Sequence, residues 1–150
     1  MRTALEQAQA ASRLGEVPVG AVVYDPATDQ IIAQAHNQPV ASHDPSAHAE
    51  MVALRRAAEA VGNYRLTGLD LYVTLEPCTM CAGAISHARI RRLVYGAADE
   101  KGGAVDHGVR FFKSPSCHWK PDVGRGVLAA ESGALLKDFF QARRASRSRG

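Results

Sequence analysis

The spacing of apolar and polar positions along the chain predicts where helices and strands lie. Residues 2–14 form an Ala-rich segment that Gly15 closes, which predicts a helix. Residues 17–24 and 31–35 are apolar and rich in β-branched side chains, and the turn-forming residues 25–29 separate them. The beginning of the chain therefore predicts one helix followed by a β-hairpin.

The remainder of the chain alternates between helical and strand-like segments. Helices are predicted from Asp44 or Ser46 to about Val61, from Pro77 to about Ala88, and from residue 128 to about Arg144, and strands at 71–75, 93–95 and 123–127. Residues 36–45 and 97–122 read as loops. This alternation predicts an α/β domain with helices on both faces of a mixed sheet, antiparallel in the first hairpin and parallel in the later β-α-β units.

Composition predicts an ordinary globular protein. The 150 residues are 46% hydrophobic and 22% charged, which suits one domain over residues 1–144 followed by a basic tail at 145–150 that we expect to be disordered. No apolar run approaches the roughly 18 residues that cross a bilayer, and no secretory signal is visible. Three cysteines are too few for a disulfide framework, so we expect a reducing cytoplasm and no membrane association.

The net charge of +3 is unevenly distributed. Residues 137–150 hold five Lys or Arg against a single acid, whereas the rest of the chain is close to neutral. A short basic end is either a solubilising tail or a nucleic-acid contact, and composition leaves both interpretations open.

Three residues have the spacing of a zinc site. Cys78 and Cys81 are three positions apart at a predicted helix start, so both sulfurs share a helix face near its positive end. His48, near another predicted helix start, supplies a third ligand. Three protein ligands leave the fourth position open, which is typical of a catalytic rather than a structural zinc.

Glu50 lies two residues after His48, about 200° around an ideal helix from it, so it reads as a carboxylate beside the metal and not as a ligand. A carboxylate in that place suits a general acid and base. An alternative is a structural zinc with four ligands that includes Cys117 or His118. The remaining candidate ligands are His36, His43, His87 and His107.

The sequence resembles the family of bacterial tRNA-specific adenosine deaminases, within the superfamily of zinc deaminases. His-x-Glu followed by Pro-Cys-x-x-Cys is the signature of those enzymes. The resemblance extends over residues 1–100 and 123–144 and includes the segments Glu16-Val17-Pro18-Val19-Gly20, His43-Asp44-Pro45, Thr74-Leu75-Glu76-Pro77-Cys78 and Asp138-Phe139-Phe140-Gln141-Ala142-Arg143-Arg144. Residues 102–122 depart from the family pattern.

The resemblance implies a three-layer α/β/α cytidine deaminase-like fold, with a five-stranded mixed sheet between helices, and a homodimer. It implies hydrolytic deamination of adenosine to inosine at the wobble position of a tRNA anticodon stem-loop. One Zn²⁺ per subunit would be held by His48, Cys78 and Cys81, with Glu50 as the proton shuttle. The implied substrate-binding residues are Asn37, Ala49, Asp99, Lys101, Phe140 and Arg143.

Two other functions compete with this interpretation. A deaminase of a free nucleobase or nucleoside, such as guanine or cytosine, would use the same zinc residues. A zinc module that binds RNA without catalysis is the other, and the presence of Glu50 argues against it.

Overall fold

The apolar segments on either side of the 25–29 turn form the predicted antiparallel hairpin in the computed structural model, which describes residues 1–149. Its strands are β1 (Gly20–Asp25) and β2 (Gln30–His36). Asp25 fixes the turn because its carboxylate accepts hydrogen bonds from the Ala27 amide and the Thr28 hydroxyl.

Three more strands extend this hairpin into a five-stranded mixed sheet. They are β3 (Asp70–Leu75), β4 (Arg92–Ala97) and β5 (Asp122–Gly124), and the strand order is β2-β1-β3-β4-β5. β1 pairs antiparallel with β2 and β3, whereas β3, β4 and β5 are parallel to one another. The predicted division into an antiparallel hairpin and parallel β-α-β units is therefore confirmed.

Helices cover both faces of the sheet. They are α1 (Arg2–Arg13), α2 (Pro39–Ser42), α3 (Ala49–Val61), α4 (Thr79–His87) and α5 (Ala129–Ser148), with a single 3₁₀ turn at Phe111–Lys113. α1 and α5 pack together on one face, and α3 and α4 on the other. The expected α/β/α layering is confirmed.

Gly20 allows α1 to approach the sheet very closely. A Cβ on Gly20 would lie 1.9 Å from the backbone oxygen of Ala4 and 2.7 Å from the amide nitrogen of Ala8. Ala4 and Ala8 are themselves fully buried, so small side chains on both elements bring the backbones together.

Several element boundaries differ from the sequence-based prediction, which had strands at 17–24 and 123–127 where the structure has Gly20–Asp25 and Asp122–Gly124. The loop at 36–45 contains the short helix α2, and α3 begins at Ala49 rather than near Asp44, because the Asp44 carboxylate holds its own turn through the amide and hydroxyl of Ser46. The last helix does not end near Arg144. It continues to Ser148, since Ala and Arg favour helix and no Gly or Pro interrupts residues 145–149. Residues 145–148 thus continue α5, the disorder expected of the 145–150 tail stays a prediction, and Gly150 lies outside the described residues.

The ends of several elements meet at one end of the sheet. β2 and β3 finish there, and β1 starts there, since Gly20 pairs with His36 and its amide donates to the Thr74 hydroxyl. The segments that follow these ends carry His48 and Cys78. No helix within residues 1–149 is both long and apolar enough to span a membrane.

Candidate active site

Two helix N-termini place the predicted metal ligands together. His48 is the N-cap of α3 and Cys78 is the N-cap of α4, and both have extended backbones (ψ 151° and 177°) that turn the side chains towards the space between the helices. Cys81 lies in the first turn of α4 and is fully buried. Within residues 1–149, these three form the only group of His, Cys, Asp or Glu side chains whose ligand atoms all lie within 4.8 Å of one another.

The spacing of the three ligand atoms fits tetrahedral zinc. His48 Nδ1 lies 3.6 Å from the Sγ atoms of both Cys78 and Cys81. Zinc–sulfur and zinc–nitrogen bonds of about 2.3 and 2.0 Å at tetrahedral angles separate sulfur and nitrogen by about 3.5 Å, close to the distance observed. The structure therefore brings together the predicted set, whereas Cys117 contacts Ser86 and the Trp119 carbonyl instead.

The pKa values of the two thiols are shifted in opposite directions. Hydrogen bonding to Cys81 and to His48 lowers the pKa of Cys78 to about 4. Hydrogen bonding to Cys78, together with burial, raises the pKa of the Cys81 thiol. The pair thus shares one negative charge, and a bound divalent cation would favour a second thiolate.

Glu50 is buried beside this group without belonging to it. Its side chain lies in the first turn of α3, and the residue is only 4% exposed. Burial raises the pKa of Glu50 to about 7, and the negative Cys78 adds to the effect. A carboxyl group with that pKa exchanges protons near neutral pH, as a general acid and base requires.

Asn37 links the end of β2 to the start of α3. Its side-chain oxygen accepts a hydrogen bond of 2.7 Å from the amide of Ala49, one of the N-terminal amides that α3 cannot satisfy itself. The Ala49 amide is thereby occupied, and the Asn37 NH₂ group keeps its two donors. Asn37 and Ala49 were both predicted to bind the substrate. In the structure the Asn37 NH₂ group is available to donate to a base, whereas the Ala49 amide already donates to Asn37.

Asp99 and Lys101 lie in the loop after β4. The Asp99 carboxylate accepts hydrogen bonds from the amides of Lys101 and Gly102, so it shapes its own turn, while Lys101 is exposed. The loop passes close to residues 76–78, the turn that leads from β3 to Cys78 and is called the metal-ligand turn below, because the Ala104 amide donates to the carbonyl of Pro77, 2.9 Å away.

Phe140 and Arg143 lie on the second half of α5 and have different surroundings. Phe140 is 42% exposed, whereas its neighbour Phe139 is buried. The Arg143 guanidinium stacks on the Phe139 ring, 4.7 Å from its centroid, and donates to the Gly15 carbonyl. Arg143, predicted near RNA, thus anchors α5 to the end of α1.

Sequence reasoning missed two buried carboxylates that hold the loops of this end of the sheet. Glu16 accepts hydrogen bonds from the amides of Val40 and Ala41 and so caps α2. Glu76 accepts hydrogen bonds from the loop after β4. Burial alone would raise the pKa of Glu76, but these amides and the His107 imidazole lower it below its usual value. Only the segments shared with the resembling family contained a signal for these two residues.

Comparisons with known proteins agree with this geometry. Residues 1–97 match the profile of the cytidine and deoxycytidylate deaminase zinc-binding region. The chain is 53% identical to the tRNA-specific adenosine deaminase of Agrobacterium fabrum over 144 residues, which covers 96% of this chain and 93% of that protein.

Two solved structures share the fold. One comes from studies of A-to-I editing by tRNA:A34 deaminases at the wobble position of transfer RNA. It has a TM-score of 0.88 and 54% identity over 91% of this chain and 97% of that chain. The other is a guanine deaminase from Bacillus subtilis, with a TM-score of 0.63 and 29% identity over 96% of this chain and 90% of that chain.

The ligand group predicts about one zinc per chain in the purified protein. Cys78→Ala should remove the metal and lower the melting temperature, because the starts of α3 and α4 lose the ion that joins them. Elemental analysis and thermal unfolding measure both effects. Cys117→Ala is the matched control and should keep its zinc. A Cys78→Ala protein with a full complement of zinc would contradict the assignment.

Proposed function

The chain belongs to the tRNA-specific adenosine deaminases of the cytidine and deoxycytidylate deaminase family, and from this we propose that it converts adenosine to inosine at the wobble position of a tRNA anticodon loop. The observation that carries the proposal is the group of His48, Cys78 and Cys81, spaced for zinc, with buried Glu50 beside it.

We propose that His48, Cys78 and Cys81 hold the zinc, which when bound activates a water for attack on C6 of adenine. Glu50 takes one proton from the water and delivers it to N1, then takes the second proton from the oxygen now bonded to C6 and delivers it to the departing amine, so that the C6–N bond breaks and ammonia leaves. Its burial at the start of α3 keeps the carboxyl next to the ligand group and excludes bulk water from the proton transfers.

Asn37 suits the recognition of the target nucleotide. Its oxygen is held by the Ala49 amide, so the orientation of the side-chain amide is set by α3 and the NH₂ group can donate to a base edge or a ribose hydroxyl. The base must leave the stack to reach a buried centre, and an anticodon loop offers unstacked bases at low cost.

We propose that the C-terminal end of α5 binds the phosphate backbone of the RNA. Arg144, Arg147 and Arg149 are exposed there, and Phe140 offers an exposed ring on the same helix. The Arg143 contact with Gly15 places this end of α5 beside Glu16, whose carboxylate holds α2 at the same end of the sheet as the metal ligands. Asp99 and Lys101 would meet the RNA on the other side of the site.

A homodimer is part of the proposal. The residues that line a groove of about 340 Å³ between α3 and α4 are mainly apolar: Met51, Leu54, Arg55, Ala58, Tyr64, Leu66, Ala84, His87 and Ala88. Tyr64 is 71% exposed there. A second copy of this chain would cover this surface, and since α3 and α4 also carry the site, dimerisation would support it. We also propose a cytoplasmic location, where tRNA is available and thiol ligands stay reduced.

The substrate assignment is tested with an anticodon stem-loop that carries a wobble adenosine, beside free adenosine, guanine and cytosine. We expect inosine from the stem-loop and no ammonia from the free compounds. Turnover of free guanine without turnover of the stem-loop would favour the nucleobase alternative, consistent with the similarity to a guanine deaminase.

Glu50→Ala should keep its zinc and lose roughly 10²-fold to 10⁴-fold in turnover of the stem-loop, because one group serves several proton transfers. Single-turnover kinetics and elemental analysis measure the two quantities. Glu59→Ala, an exposed position on the same helix, should match the unmodified protein. Loss of zinc in parallel with activity would make Glu50 a ligand and contradict its role.

Replacing Arg144, Arg147 and Arg149 with Gln should weaken binding of the stem-loop and flatten its salt dependence. Each lost phosphate contact lowers the slope of log affinity against log salt by roughly 0.7–0.9. Filter binding over a series of salt concentrations measures the slope. Arg92→Gln, at the opposite end of β4 from the site, is the control. An unchanged slope in the triple variant would show that these arginines only solubilise the protein.

Tyr64→Asp should shift the protein from dimer to monomer, because a carboxylate would be desolvated in an apolar groove. Sedimentation equilibrium gives the mass. Leu14→Asp introduces the same charge at a similarly exposed position outside the groove and should stay dimeric. A monomeric unmodified protein would refute the dimer.

A further inference from the structure

Glu76 is a buried acid next to the metal-ligand turn that the proposed reaction does not use. It follows β3 directly and precedes Pro77 and Cys78. Its side chain is completely inaccessible to solvent. Burying a carboxylate is expensive unless hydrogen bonds replace its water, so the partners of Glu76 indicate what it holds in place.

Five N–H donors of one loop converge on the Glu76 carboxylate. Oε1 accepts hydrogen bonds from the amide of Asp99 at 3.0 Å and from Nδ1 of His107 at 2.8 Å. Oε2 accepts hydrogen bonds from three successive amides, those of Val105, Asp106 and His107, at 3.1, 3.0 and 3.2 Å. Successive amides of this kind form an anion-binding nest, and here the anion is a side chain of the protein itself.

The backbone around Glu76 is also bonded to the end of β4 and to this loop. The Glu76 amide donates to the Ala97 carbonyl, and the Ala104 amide donates to the Pro77 carbonyl, each at 2.9 Å. Residues 99–107 are therefore fixed relative to Cys78 by both the side chain and the backbone of the segment that presents this ligand.

Gly103 permits the close contact between the loop and the carboxylate. A Cβ on Gly103 would lie 2.4 Å from the carbonyl oxygen of Asp99 and 2.5 Å from the carboxyl carbon of Glu76. Both atoms are held in place, so any side chain at 103 would push the loop off Glu76. At the adjacent Gly102, a Cβ would meet only the Asp99 side chain, at 3.1 Å.

We propose that Glu76 is a positioning residue for the deamination: it holds the 99–107 loop, with Asp99 and Lys101, in register with the metal-ligand turn. RNA bound along the loop then places its target base over the reacting centre. This inference rests on the proposed function, and it assigns a role to a side chain that touches neither the metal nor the substrate.

Two independent changes release the loop. Glu76→Gln replaces one carboxylate oxygen with an NH₂ group and barely changes the shape of the side chain. The NH₂ group, itself a donor, would then face the two N–H donors of Oε1 or the three of Oε2. Gly103→Ala leaves the carboxylate intact and displaces the loop sterically. Gly102→Ala is its matched control in the neighbouring position, and Glu59→Gln is the control for the loss of a carboxylate from an exposed site.

Three measurements are made on each protein: zinc content, single-turnover deamination over a range of stem-loop concentrations, and hydrogen exchange of peptides covering residues 99–107 and 49–61. For Glu76→Gln and Gly103→Ala we expect full zinc, faster exchange confined to 99–107, and a half-saturating RNA concentration raised by about tenfold or more, since small misplacements of binding groups have effects of this size. The maximal rate should fall by a smaller factor, and both controls should stay within about twofold of the unmodified protein.

Three results would overturn the proposal. The first is an unchanged half-saturating concentration in both variants. The second is loss of zinc in proportion to activity, which would mean that Glu76 supports the metal turn alone. The third is faster exchange in 49–61 as well as in 99–107 in Gly103→Ala, which would make the contact a general support of the fold.

A failure of the proposed function looks different, because the unmodified protein would then leave the wobble adenosine unchanged. In that event, filter binding of the same stem-loop replaces the kinetic measurement. Equal affinities of the unmodified protein and Gly103→Ala would then overturn the role of Glu76.

Discussion

Where the loops of this protein leave the sheet, some backbone amides have no hydrogen-bond acceptor within a strand or helix. The geometry of the site depends on the side chains that accept hydrogen bonds from these amides. Three side chains supply the acceptors: Asn37 for the start of α3, Glu16 for α2, and Glu76 for the loop after β4. A buried N–H group without a partner costs free energy comparable to a lost hydrogen bond. The loops around the metal ligands are therefore tied to fixed side chains rather than to solvent.

The reactive groups lie at helix starts for a geometric reason. His48 and Cys78 occupy N-cap positions, where an extended backbone turns the side chain away from the helix axis and towards its neighbour. Helix starts also carry positive potential, which favours thiolates. One arrangement of the backbone thus brings the ligands together, and it also buries Glu50, which raises the pKa of its carboxyl group.

The sequence was most informative where chemistry depends on residue type and spacing. The hairpin, the parallel units and the His48, Cys78 and Cys81 group all follow from local patterns. It was least informative where a long-range contact decides. The short helix α2 depends on Glu16, which is 24 residues away, and the anchoring role of Arg143 depends on a carbonyl 128 residues away. The end of α5 was predicted too early for a different reason: chain ends commonly fray, but Ala and Arg favour helix and no Gly or Pro interrupts residues 145–148.

Because the ligands lie far apart along the chain, the metal would also act on folding. His48 and Cys78 are 30 residues apart, and the segment between them contains α3 and β3. An ion held by both residues is a reversible cross-link. By analogy with a disulfide that closes a loop of this length, the ion would lower the conformational entropy of the unfolded chain, which stabilises the folded state by about 3–4 kcal/mol. Metal supply during synthesis would then affect the folding pathway as well as the finished enzyme, because a chain that acquires its ion early would fold from a loop that is already closed.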